Sequence, residues 1–192
     1  MKDIPNFPTT LSNVTHTYLQ TYDSILNKMI SSMSQTSQTD SISYSFILQM
    51  IPHHQAAIQM SENLLRYTTN IPLQNIALQI IEEQTKNIEN MQQIQFQSQT
   101  FTNSKQDLSL FHRKLRQIMH IMFFEMKHAP ILNQINTDFI YEMIPHHEGA
   151  VKMSETTLQY PICPKLKPLL TSIISSQEKS ISKMQYLLQC IE

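Results

Sequence analysis

Methionine and histidine recur in this chain in a fixed pattern. The segment Met-Ile-Pro-His-His occupies residues 50–54 and returns 93 positions later at residues 143–147. Thioethers are soft donors and imidazole is borderline, so the pair suits Cu(I), and by the same softness Ag(I), better than Zn(II), Ca(II) or Mg(II). Residues three and four apart share a helix face. Met50, His53, His54 and Ala57 would then line one stripe, and Met143, His146, His147 and Ala150 a second. The two small alanines leave room beside the imidazoles.

The echo is wider than the motif. Residues 46–65 read FILQMIPHHQAAIQMSENLL and residues 139–158 read FIYEMIPHHEGAVKMSETTL, with twelve of twenty positions identical. The same offset carries Gln84 onto Gln177, Ile88 onto Ile181 and Met91 onto Met184, and upstream Met29 onto Met122 and Met33 onto Met126. No insertion is needed. The chain is one unit of roughly 80 residues written twice, which marks a repeat architecture.

Each unit reads as three helices. The periodicity of three and four predicts helices over about 11–33, 43–67 and 73–96, then 106–127, 137–160 and 166–189, with residues 97–105 linking the halves. Pro72 suits a first helical turn. Thr137 or Asp138 suits a cap. Pro52 and Pro145 fall inside the two middle helices, where proline deletes a backbone hydrogen bond. A kink there, one residue before each histidine pair, would set ligand geometry; alternatively each helix starts at its proline. The expected fold is all-α: a single domain, residues 1–192, in which repeats at about 11–96 and 106–189 pack around a pseudo-twofold axis.

With the second and third helices of a unit antiparallel, Gln84 comes level with His54 and Met91 with Met50. The first helix enters from the other end with Met29 and Met33. The expected metal cluster is therefore Met29, Met33, Met50, His53, His54 and Met91, with a twin at Met122, Met126, Met143, His146, His147 and Met184. Met60 and Met153 lie about 10 Å further along the helix and read as core. Methionine is also a good core filler, so a methionine stripe by itself indicates packing. Here, however, ten of the twelve methionines fall into five matched pairs while many other core positions have drifted. His16, His112, His120 and His128 have no matched histidine and read as surface or cap residues, with His120 and His128 placed to assist Met122 and Met126.

Other chemistries find less support. A carboxylate di-iron centre wants glutamates on all four helices of a bundle. Gln49 stands where the second copy has Glu142, and Glu83 where it has Ser176; near the motif only Glu62 and Glu155 match. One glycine, Gly149, excludes Gly-rich phosphate loops and the nucleophile elbow. With 14 basic and 15 acidic residues there is no electrostatic footprint for nucleic acid. No apolar run approaches the roughly 18 residues of a membrane span. Residues 1–16 lack the charged-then-apolar pattern of a secretory leader, so the chain as it stands reads as cytoplasmic, or as exported if a leader has been removed. Cys163 and Cys190 bracket a helix of about 35 Å, too long for a bridge between them, and read as free thiols.

At these residues the chain resembles the domain-of-unknown-function 305 family: Met-Ile-x-His-His, then Ala57 and Met60, then Gln84, Ile88 and Met91, all repeated as His146 and His147 with Ala150, Met153, Gln177, Ile181 and Met184. The resemblance runs from about residue 18 to 188. It implies a ferritin-like bundle, and for some members exported proteins that bind Cu(I) or Ag(I) and support copper resistance. The resulting expectation is a non-catalytic protein that binds Cu(I), or Ag(I), and buffers it or exchanges it with another copper-handling protein. The alternative is a structural or interaction protein that keeps the repeat without metal. A weaker one is a metalloenzyme with a His-based site.

Overall fold

A computed structural model describes residues 11–36 and 39–191. Residues 1–10, on which most of the leader reading rests, lie outside the described residues, as do two positions of the polar loop at 37–38. Among the described residues there are six helices and no strand: α1 Asn13–Ser34, α2 Ile42–Leu65, α3 Ile71–Thr100, α4 Lys105–Lys127, α5 Ile135–Leu158 and α6 Leu166–Ile191. The fold is all-α.

Local chemistry starts four of the six helices. The side chains of Ser12, Ser41, Asn70 and Ser104 accept from backbone N–H groups three residues on, satisfying donors that a helix start leaves open. Pro72 lies in the first turn of α3, where its missing N–H costs nothing. The start of α5 departs from expectation. Its cap is Gln134, which makes no side-chain cap bond. Asp138 acts instead from inside the first turn, its carboxylate accepting from Leu132 N at 2.7 Å and Gln134 N at 3.2 Å. Asn133 just before it takes a φ of 58°, which Asn tolerates better than most residues.

The linker expected over 97–105 is shorter, because α3 runs on to Thr100. No glycine or proline breaks it there. Its end is held from the α1–α2 connection: Ser41 Oγ donates to Ser98 O at 2.6 Å, and Asn103 N donates to Asp40 O at 2.9 Å. Neither middle helix starts at its proline. Pro52 and Pro145 both lie well inside unbroken helices. Surrounding packing must offset the 3 kcal/mol or so that an interior proline costs.

The helices pack in a pattern that matches across the repeat. α2 contacts α1, α3 and α5; α5 contacts α4, α6 and α2; and α3 meets α6. Hence α2 and α5 are the central pair. Their burial is the heaviest in the molecule, including Met50, His53, His54 and Ala57 on one and Met143, His146, His147 and Ala150 on the other. Gly149 shows how closely α4 approaches α5: a Cβ added there would lie 2.1 Å from Met122 Sδ. Cys163 is buried and Cys190 exposed, and both are free.

Candidate metal centre

The four histidines of the repeated motif sit where α2 and α5 cross. His53 and His54 are 0% exposed, His146 0% and His147 1%. The His53 and His146 rings stack at a centroid distance of 3.6 Å, with 28° between planes. Within each pair the rings are tilted, 5.9 Å apart for His53 and His54 and 5.7 Å for His146 and His147. The two clusters expected from the sequence therefore share one centre; the histidine pairs are not kept apart in separate halves.

Burial sets the protonation state. Removal from water disfavours the imidazolium, holding His54 down to about 3 and His146 to about 4, from 6.5. Burial likewise holds His53 and His147 well below the usual range, and their histidine neighbours push the same way. All four are neutral near pH 7, the form in which imidazole ligates metal.

A neutral imidazole carries one donor and one acceptor. His146 Nε2 donates to His53 O at 3.1 Å. The carbonyl can only accept, so Nε2 carries the proton and Nδ1 presents a bare lone pair. The ring of His147 bonds to the backbone of Met143. Six ring nitrogens nonetheless have no hydrogen-bond partner in the protein: both of His53, both of His54, and Nδ1 of His146 and of His147. A buried polar atom left in that state costs about 1–3 kcal/mol, so such a concentration needs an explanation.

Eight methionines are buried on α2, α5 and the helices that pack against them. Met29 and Met33 come from α1, Met122 and Met126 from α4, Met91 from α3 and Met184 from α6, while Met50 and Met143 lie one turn before the histidines. None is more than 2% exposed. Met60 and Met153 are equally buried. Among the described residues no three His, Cys, Asp or Glu side chains converge so as to hold an ion. Stacked rings direct their nitrogens outward along their edges, so His53 and His146 do not chelate one ion as a pair. A soft ion here would take imidazole lone pairs one or two at a time and complete its shell from thioether sulfur.

Other polar atoms in this core repeat the pattern. Gln84 Oε1 and Gln177 Oε1 are buried without partners, as are Ser61 Oγ and Ser154 Oγ, and each pair is related by the same offset of 93. Sequence reasoning noted the glutamine match but kept it out of the ligand set, and passed over the serines. The available signal was a polar residue preserved in both copies on a stripe that is otherwise apolar.

The carboxylates lie differently. Glu62 and Glu155, matched between copies, are exposed. Glu142 is buried and accepts from Tyr18 Oη at 2.6 Å. Burial raises its carboxyl well above the ordinary range, and Asp138 adds to the shift. Of the unmatched histidines, His128 caps α4, with Nδ1 2.7 Å from Phe124 O and its ring stacked on Phe124 at 4.1 Å. His16 and His120 are exposed, while His112 is half-buried with Nε2 3.3 Å from Ser45 Oγ. That last placement departs from the surface reading.

The model of a family described as a domain of unknown function (DUF305) matches residues 20–95 and 43–188. Among solved structures, CopM in an Ag-bound form obtained by soaking is 28% identical, covering 77% of this chain and 94% of its own, with a TM-score of 0.57. CopM in the Cu(II)-bound form is 26% identical, covering 78% and 97%, with the same TM-score. A DUF305 fragment from Deinococcus radiodurans shares the fold at 21% identity and a TM-score of 0.57, covering 80% and 99%. Comparison with curated proteins gives no match.

Proposed function

The chain belongs to the DUF305 family, and from that premise we propose that it binds a soft metal ion, Cu(I) or Ag(I), at the α2–α5 crossing and holds or passes it on without catalysis. The observation that carries this reading is the set of six partnerless ring nitrogens on four neutral, buried imidazoles. Met50, Met91, Met143 and Met184 supply sulfur from the same core, with Met29, Met33, Met122 and Met126 on the flanking helices. Exchange among thioethers without a change of oxidation state suits buffering or delivery to another copper-handling protein. The Ag-bound form of CopM supports a soft ion, and its Cu(II)-bound form supports copper without bearing on the oxidation state.

An anaerobic Cu(I) titration against a competing chromophoric chelator, followed by metal analysis of the desalted protein, tests this. Retained Cu(I) supports the reading; complete loss to the chelator, with Ag(I) equally unbound, overturns it.

A second reading is an interaction protein that keeps the repeat without using metal. It is favoured by exposed apolar side chains such as Phe96 at 76% and Tyr186 at 71%. On that reading soft metals leave the melting temperature unchanged, because only a ligand of the folded state stabilises it.

A further inference from the structure

A cavity of about 390 Å³ opens between the end of α1, the first half of α2 and α4, lined by Met33, Gln49, His112, Arg116, Met119 and His120 among others. It is set apart by comparison with the other repeat. The offset of 93 carries Met126 and Glu142 onto Met33 and Gln49, and Tyr18 and Tyr22 onto Phe111 and Leu115. In that other half Tyr22 Oη donates to Met126 O at 3.1 Å and Tyr18 Oη to Glu142 Oε2 at 2.6 Å, so two phenols fill the space and satisfy its polar atoms. Here Phe111 and Leu115 carry no hydroxyl. Gln49 Oε1 is buried and has no protein partner.

The drift between halves has a chemical direction. Where the closed half has Leu19, Leu26 and Asn27, the open half has His112, Met119 and His120. Two imidazoles and one thioether have thus been added around Met33, a thioether the halves share, at the end where there is room. Ser45 Oγ lies 3.3 Å from His112 Nε2, itself backed by Thr39 Oγ1 at 2.8 Å, which steadies the ring at the cavity wall. Arg116 at the rim repels a divalent cation about twice as strongly as a monovalent one, since the Coulomb energy scales with charge.

We infer that this cavity is a second soft-ion site, taking a monovalent ion at Met33, Met119 and His120, with His112 about two turns back along α4 as a separate donor at the far wall, and that it is the entrance to the buried histidine centre. Met33 belongs to both: it lines the cavity and lies on the same buried stripe of α1 as Met29. The quartet itself is cut off from solvent, so an ion needs a staging point with ligands that exchange. The entrance role rests on the proposed function above, whereas the cavity site stands on its own donors.

The test uses the full chain labelled with 13C at the methionine methyls and titrated with silver nitrate in chloride-free buffer, each methyl being assigned by a Met→Leu substitution. Shifts of the Met119 and Met33 methyls together with those of Met50 and Met143 support the proposal. A Met119 methyl that stays put while Met50 and Met143 move overturns the cavity site and leaves the buried centre standing. Movement of Met119 alone leaves the cavity as a site and overturns both the entrance role and the buried centre. No shift anywhere overturns all three. Separately, Met119→Leu with His120→Gln should slow Cu(I) uptake from a chromophoric chelator about tenfold at unchanged final occupancy of the buried centre; equal rates overturn the entrance role. The first change conserves volume and the second is at an exposed position, so both should fold.

Discussion

His146 donates from Nε2 to the backbone carbonyl of His53 at 3.1 Å while its ring stacks on the His53 ring at 3.6 Å. The two residues are copies of each other, 93 positions apart, yet the hydrogen bond runs one way only. It anchors one imidazole to the opposite helix and leaves both nitrogens of the other without a protein partner. A polar pair built for stability would be satisfied on both sides.

Removing that pair should separate stability from binding. His53→Leu with His146→Leu deletes three partnerless nitrogens together with the Nε2 donor to the His53 backbone carbonyl, which stays inside α2, and removing buried polar atoms that have no partner removes their desolvation cost. The expected result is an apo protein within about 1 kcal/mol of the parent, or more stable, in chemical denaturation. Cu(I) retention should fall in the same protein. Strong destabilisation with unchanged retention would assign these histidines to packing.

Acid should weaken the apo fold through the same quartet. The unfolded histidines protonate near 6.5, whereas His146 resists to about 4 and His54 to about 3. Folded values below unfolded ones mean that stability is complete above pH 6.5 and is lost as pH falls from there towards 3–4. Each histidine contributes a slope of up to about 1.4 kcal/mol per pH unit in that window. Denaturant midpoints between pH 7.5 and 5 check this, and the double leucine variant should show a visibly flatter profile.

Glu142 carries the opposite sign. Burial raises its carboxyl, so it favours the folded state at low pH and opposes it as pH rises through the folded value. Glu142→Gln, the residue the first repeat has at the equivalent Gln49, can still accept from Tyr18 Oη. The variant should be more stable than the parent at pH 8 and indistinguishable from it near pH 4. Equal stability at both values would mean that the carboxyl is not strained by burial.

Gly149→Ala should destabilise despite alanine's advantage of about 1 kcal/mol in a helix interior. The new methyl would meet Met122 at Sδ and Cγ, 2.1 and 2.8 Å away, and forcing extra volume into a packed site costs about 1–3 kcal/mol. The outcome is read as a fall in melting temperature. Adding Met122→Ala, which vacates the space, should make the glycine replacement nearly neutral.

Silver should raise the melting temperature of the parent more than that of the double leucine variant, which keeps the cavity donors and loses two imidazoles of the buried centre. A ligand at about 100 times its dissociation constant stabilises by about 2.7 kcal/mol. Thermal scans with silver nitrate in chloride-free buffer read this directly, and an unchanged transition favours the interaction-protein reading.

The helices were legible because their stripes are regular and the offset aligns them twice. Tyr18, Tyr22, Ile25, Leu26, Met29 and Met33 share one stripe of α1, and all of them are buried except Ile25, which is half-buried. Boundaries were less legible where long-range contacts decide them: α3 continues to Thr100 because Ser41 and Asn103, distant in sequence, hold the turn around its end. Spacing within a helix places Met50, His53 and His54 on one face, but says nothing of which helix that face meets. The stacking of His53 on His146 follows from α2 packing on α5, a relation between elements that no local pattern encodes. The cavity at Met33 was hidden for a further reason. Searching for similarity between the repeats finds what they share, and Leu115 against Tyr22 is a difference.

That difference has a consequence for how such a molecule could arise. In a symmetric pair of identical subunits, one gene dictates both ends, so Tyr22 and Leu115 would have to be the same residue and both ends would be sealed or both open. Joining the two units in one chain frees each copy to diverge. The joined molecule has a head and a tail, and so can treat arrival and storage as different places.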